Sequence, residues 1–124
     1  PTWTQSIYGR HNQSYDRWDS QMKTKVYNIK VWVFEEEGGR LEMIVHSNNK
    51  GRYGIIENIF VEKEYRNKGV ATKLIEAAKD AAETAYLYKI VLTCNKDLMG
   101  FYKNQEFKWQ ENGQAYCMRI DLNE

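Results

Sequence analysis

The stretch YRNKGVATKLIEAA, residues 65–78, decides how this chain is read, because a basic, glycine-punctuated loop runs directly into an apolar-periodic helix. Val70, Leu74, Ile75, Ala78, Ala81, Ala82 and Ala85 fall on one broad stripe suited to close packing on a sheet, so a helix is expected over about 70–85. Helix starts usually carry Asp or Glu against the positive end of the dipole. This one holds Arg66, Lys68 and Lys73, and its first carboxylate is Glu76. Unpaired N–H groups, partial positive charge and a glycine permitting close approach suit a phosphate or diphosphate. Neither G-x-G-x-x-G nor G-x-x-x-x-G-K-[ST] is present, and a solvated lysine-rich loop with a turn glycine explains the same residues.

Working outward, YGIIENIFVEK (53–63) before the loop and YKIVLTC (88–94) after the helix read as strands, giving a parallel strand-helix-strand crossover. VYNIKVWVFEEE (26–37) and LEMIVHS (41–47) form a hairpin about the turn signal EGGR. Tyr15, Trp18 and Met22 recur at three- and four-residue spacing, predicting a short helix from Asn12 or Ser14 to about Lys25. NKDLMGFYKNQEF (95–107) predicts a second short helix, with Asn95 as N-cap and Leu98, Phe101 and Tyr102 inward. Asn112-Gly113 predicts a closing hairpin within 108–122, whose apolar alternating strand AYCMRIDL offers an edge for pairing across a homodimer. The expected order is α-β-β-β-α-β-α-β-β.

At 124 residues, 42% hydrophobic and 28% charged, one domain over 1–124 is expected. With 18 basic and 17 acidic residues the formal net charge is +1, which gives no general attraction to nucleic acid or an anionic membrane, and neither is expected as a partner. Cys94, Cys117, His11 and His46 lack metal-ligand spacing, so reduced thiols and no metal are expected. No long apolar run or signal-peptide pattern is seen, making the cytoplasm the expected location.

Arg66-x-x-Gly69-x-Ala71 resembles the diphosphate-binding [RQ]-x-x-G-x-[GA] motif of the GNAT superfamily of acetyl-coenzyme A dependent N-acetyltransferases. NKDLMGFY (95–102) resembles that superfamily's N-x-x-A-x-x-F-Y segment, with Leu98 replacing the usual alanine, and the likeness covers roughly residues 26–122. Within the superfamily, IENIFV (56–61), YKIVLTC and GFYKNQEF (100–107) are most similar to glucosamine 6-phosphate N-acetyltransferases. The matching stretches there read approximately I-E-D-V-V-V, Y-K-I-T-L-[DE]-C and G-F-Y-K-K-F-G-[YF]. The acidic residue those enzymes use on their amino sugar falls on Thr93.

The resemblance implies an α/β (α+β) fold, with a mixed, mostly antiparallel sheet flanked by helices and a shortened N-terminus. It implies direct acetyl transfer from acetyl-coenzyme A to a primary amine on a small molecule, with an amino sugar phosphate as leading acceptor. A protein lysine or α-amine, a polyamine, or a non-catalytic coenzyme-binding module are the alternatives. By resemblance, Tyr102 is the proton donor to the departing thiolate, a core tyrosine being the plain reading. Glu57 orients the amine or accepts its proton, unless it is a structural glutamate. Arg66, Asn67, Lys68, Gly69, Val70 and Ala71 hold the diphosphate, Ile59, Phe60 and Val61 present backbone groups to the pantetheine arm and thioester, and Asn95 contacts the coenzyme. His46 stays outside the catalytic set, Cys94 reads as a buried structural thiol, and Trp3, Trp18, Trp32 and Trp109 read as core.

Overall fold

The computed structural model describes residues 16–19, 22–110 and 118–122, the first of these as backbone alone. They belong to two compact units, divided between Thr93 and Cys94.

Among the described residues of the first unit, two short antiparallel strands, β1 (Asp16–Asp19) and β2 (Met22–Lys25), come first, where the sequence predicts a helix. Three apolar positions are too few to hold a helix here. Met22, the last position of that spacing, is exposed and so buries little, and Asp16 and Asp19 belong to the residue types that compete with helical hydrogen bonding. The main sheet has the order β3 (Lys30–Glu36), β4 (Gly39–Asn48), β5 (Gly51–Val61), β6 (Ile90–Val91). β3, β4 and β5 are antiparallel neighbours, and β5 pairs with β6 in parallel across the helix α1 (Val70–Thr84). The mixed, mostly antiparallel sheet and the helix are therefore as the sequence predicts, with β6 shorter than 88–94.

The core lies between α1 and one face of this sheet. Leu41, Met43, Leu74 and Ile75 are fully buried, and each such side chain contributes about 1.5–3 kcal/mol on leaving water. Gly39 lets the helix approach the sheet, since a Cβ there would lie 2.6 Å from Val70; Gly54 on β5 leaves room for Met43 of the neighbouring strand, whose sulfur would lie 2.5 Å from a Cβ. The small residues Ala78 and Ala82 complete the buried stripe of α1.

In the second unit, a 3-10 turn (Lys96–Leu98) leads into α2 (Met99–Asn104). Tyr102 is buried, but Leu98 is exposed, contrary to the inward position its spacing suggests, because the 3-10 turn changes its direction before α2 begins. The helix ends with Glu106 in the left-handed region (φ 76°), Glu106 N–H donating to Lys103 O and Phe107 N–H to Tyr102 O. The Phe107 ring then packs edge-on against Tyr102. This is the Schellman termination. The Asn112-Gly113 turn lies outside the described residues, and 107–110 and 118–122 carry no strand.

Candidate functional site

β5 carries a bulge: Asn58 stands opposite Glu42 and Ile56 opposite Met43, leaving Glu57 as the extra residue. A bulge bends its strand and redirects a side chain. Glu57 is exposed, so its carboxylate carries no burial cost although β5 lies inside the sheet. β6 covers β5 only at Gly54 and Ile55; from Ile56 to Val61 the β5 backbone has no β6 partner among the described residues. Such an open edge can accept an extended ligand as an added strand. Ile59 and Val61 are half-buried and Phe60 is exposed, so these side chains do not form a core strand.

After β5 the chain makes a 3-10 turn (Lys63–Tyr65) and enters the basic loop. A feature invisible in the sequence clamps this turn. Glu62 N–H donates to Gly38 O at 2.7 Å, the Tyr65 hydroxyl donates to Glu37 at 3.3 Å, and the Tyr65 ring lies against Gly38. A Cβ on Gly38, itself at φ 83°, would stand 2.2 Å from that ring. The EGGR signal predicts the turn; nothing local in the sequence names its partner. Arg66 Nε donates to Val61 O at 3.0 Å, tying the loop to the end of β5.

The loop closes through left-handed residues at Asn67 (φ 62°) and Gly69 (φ 85°), and Gly69 is the N-cap of α1. The helical ladder starts with Lys73 N–H donating to Gly69 O, so the N–H groups of Val70 and Ala71 precede it. No side chain caps this end and no acid occupies its first turn. A Cβ at Gly69 would meet no atom within 4 Å. The glycine is thus required by backbone conformation, and it faces open space. Lys68 is exposed with its Nζ 5.9 Å from the Tyr65 ring, and Lys73 pairs with Glu36 at 3.4 Å. The site gathers Arg66, Asn67, Lys68, Gly69, Val70 and Ala71 beside the end of β5. A shallow groove of about 620 Å³ lies between β3 and α1, with Glu36 and Lys73 among its lining residues.

In the second unit, Asn95 occupies the N-cap position of the 3-10 turn, but its side chain makes no capping hydrogen bond. Capping therefore does not explain this asparagine. Tyr102 is 7% exposed and packs edge-on against Phe101 at 5.0 Å and Phe107 at 5.8 Å. Burial, and secondarily the nearby Cys94, push its phenol above the ordinary value of 10, keeping it a protonated donor at neutral pH. Cys94 is a free, exposed thiol rather than the buried one expected, because β6 ends three residues earlier. Trp109 is likewise exposed rather than core. Trp3, His11 and Cys117 lie outside the described residues, as do the side chain of Trp18 and its neighbours. Among the described residues no group of three or more His, Cys, Asp or Glu side chains could hold a metal ion, and no helix is long and apolar enough to cross a membrane.

The profile of the acetyltransferase (GNAT) domain family matches residues 28–109. The chain is 37% identical over 60 residues to glucosamine 6-phosphate N-acetyltransferase 1 of Dictyostelium discoideum, covering 48% of this chain and 38% of that protein. The chain thus spans well under half the length of this curated relative. Among solved structures, glucosamine-6-phosphate N-acetyltransferase from Arabidopsis thaliana superposes with a TM-score of 0.65 at 21% identity, over 77% of this chain and 67% of that one. A predicted acetyltransferase from Clostridium acetobutylicum, solved with acetyl-CoA, superposes with a TM-score of 0.56 at 23% identity, over 77% and 64%. These likenesses establish the shared fold.

Proposed function

The chain belongs to the acetyltransferase (GNAT) domain family, and on that premise we propose that it transfers acetyl from acetyl-coenzyme A directly to a primary amine of a small molecule. One observation carries this reading: the acid-free, uncapped start of α1, opened by left-handed Gly69 and set at the end of a strand whose edge is open. Backbone N–H groups and flanking cations there fit a diphosphate. The open edge of β5 at Ile59, Phe60 and Val61 fits an amide-bearing arm.

The bound coenzyme supplies the acetyl thioester. Arg66, Asn67, Lys68, Gly69, Val70 and Ala71 hold the diphosphate, and Asn95 takes a coenzyme contact. A β5 N–H meets the thioester oxygen, stabilising the charge that develops there. Glu57, redirected by the bulge and solvated, orients the amine and accepts its proton through water. Tyr102 gives its hydroxyl proton to the departing thiolate. Holding both reactants in register contributes up to roughly 7–11 kcal/mol, so no covalent enzyme intermediate is needed. Thr93, in place of a carboxylate, leaves an acceptor ammonium to Glu57.

An amino sugar phosphate is the leading acceptor, supported by the Dictyostelium relative. The proposed working form is a homodimer, supported by the exposed apolar side chains of Met118, Ile120 and Leu122, which a second copy would cover. The cytoplasm is the proposed location. The test is thiol release from acetyl-coenzyme A with amino sugar phosphates, polyamines, lysine peptides and free α-amines, beside calorimetry with coenzyme A. Release with amino sugar phosphates supports the reading; coenzyme binding without release from any amine would leave a binding module.

A further inference from the structure

The opposite end of β5 carries a second surface, outside the residues proposed for acetyl transfer. The net charge of +1 conceals a local segregation: neither 43–56 nor 84–93 contains an Asp or Glu, yet they hold Lys50, Arg52 and Lys89. The structure joins these two segments. Tyr88 N–H donates to Arg52 O at 2.9 Å, Gly54 N–H to Lys89 O at 3.0 Å, and the Arg52 guanidinium to Ala85 O, which occupies one corner of its donor fork. Lys89 Nζ sits 5.3 Å from the Tyr53 ring centre and 5.5 Å from that of Tyr88, and Asn48 Nδ2 donates to the Tyr88 hydroxyl at 2.8 Å. Cation and rings are thus held in one array.

Tyr86 adds an independent observation. It terminates α1 in the left-handed region (φ 61°), its N–H donating to Glu83 O and Leu87 N–H to Ala82 O, a position that favours glycine. Tyr86 is 89% exposed, so packing does not compensate the backbone strain. A strained residue whose side chain stands in solvent points to use of that side chain. We propose that Tyr86 and Tyr88, flanked by Arg52, Lys89 and Lys50, bind single-stranded nucleic acid, with bases stacking on exposed tyrosine and phosphates on the cations. A positively charged surface with exposed aromatic platforms is the chemistry that takes unpaired strands without sequence preference. An acidic peptide would satisfy the cations but leave the rings unexplained. From Arg52 to Val61 along β5 is about 30 Å, so this surface and the proposed coenzyme site are tested separately.

The probe is a fluorescein-labelled twelve-residue oligouridine, titrated by anisotropy from 20 to 200 mM salt. Binding with a log–log salt slope near −2, from about three phosphate contacts, is expected. Tyr86→Gly keeps or raises thermal stability, because it relieves the left-handed strain, yet weakens binding by about five-fold or more with an unchanged slope. Arg52→Gln reduces the slope by about 0.7. Coenzyme A affinity stays unchanged in both variants. No binding at 20 mM salt would overturn the proposal. So would equal affinity for polyglutamate, heparin or a blunt duplex, or a Tyr86→Gly protein that binds as the parent does.

Discussion

Replacing Gly69 by alanine separates the conformational requirement of the loop from its proposed ligand. A Cβ there meets nothing within 4 Å, so no steric clash accompanies the substitution. The cost is the left-handed backbone at φ 85°, about 1–2 kcal/mol for a residue with a side chain. For a chain of this size that lowers Tm by roughly 3–10 °C. Whether the backbone stays left-handed or relaxes, the methyl group or the shifted N–H groups intrude where the diphosphate is proposed to sit. Losing one or two charge-assisted hydrogen bonds, about 1.5–3 kcal/mol each, weakens coenzyme A by tenfold or more. The assay is scanning calorimetry for Tm and titration calorimetry with coenzyme A at a temperature where both proteins are folded. Pantetheine, which lacks the diphosphate, serves as the control ligand and binds both proteins alike. If Gly69→Ala lowers Tm as stated but binds coenzyme A as tightly as the parent, the open space at Gly69 belongs to no diphosphate.

Tyr102→Phe lowers kcat about 100-fold or more while coenzyme A affinity stays within two-fold, measured by thiol release and calorimetry. Because burial raises the Tyr102 phenol, the proton is held past pH 10 in the native protein, so the alkaline fall of turnover lies above pH 10 and disappears with the phenylalanine. The same shift affects stability: between pH 10 and the raised native value the unfolded chain has lost the proton and the native one has not, so unfolding free energy falls with pH there, as pH-dependent denaturation will read. Glu106→Gly, at φ 76° after α2, stabilises by about 0.5–1 kcal/mol in denaturant titration, since glycine takes that backbone without strain. Gly38→Ala destabilises by about 2–5 kcal/mol through overlap with Tyr65 and a left-handed backbone; adding Tyr65→Ala recovers the overlap part but not the backbone part.

The parts of the fold legible in the sequence are those set by local periodicity. The stripe of α1 matches to within a residue of Val70–Thr84, because small and branched side chains at helical spacing admit one burial face. The β3–β4 turn follows from Glu37-Gly38-Gly39, where a positive φ calls for glycine. Tyr15, Trp18 and Met22 show the converse: three apolar positions at helical spacing do not outweigh strand pairing across 16–25. Cys94 and Leu98 look inward by pattern and are exposed, since β6 ends early and a 3-10 turn changes the period ahead of α2.

The site itself divides along the same line. Its chemistry is local and so is written in one stretch: a left-handed glycine, missing acids and flanking cations, all between Arg66 and Lys73. Its geometry is non-local. The bulge at Glu57 exists only in the register against Glu42 and Met43, the open edge of β5 only in the brevity of β6, and the clamp on the loop only because Gly38 admits the ring of Tyr65. No window of sequence contains any of these pairs. A single residue links the two kinds of information: Arg66 belongs to the local motif, yet it reaches back to the carbonyl of Val61 at 3.0 Å and fixes the loop against the strand it follows. Its removal therefore acts twice, by subtracting a cation near the helix start and by releasing the loop. Arg66→Lys keeps the first and loses the second, so any affinity it loses beyond Lys68→Arg measures how much the strand contributes to holding the loop in place.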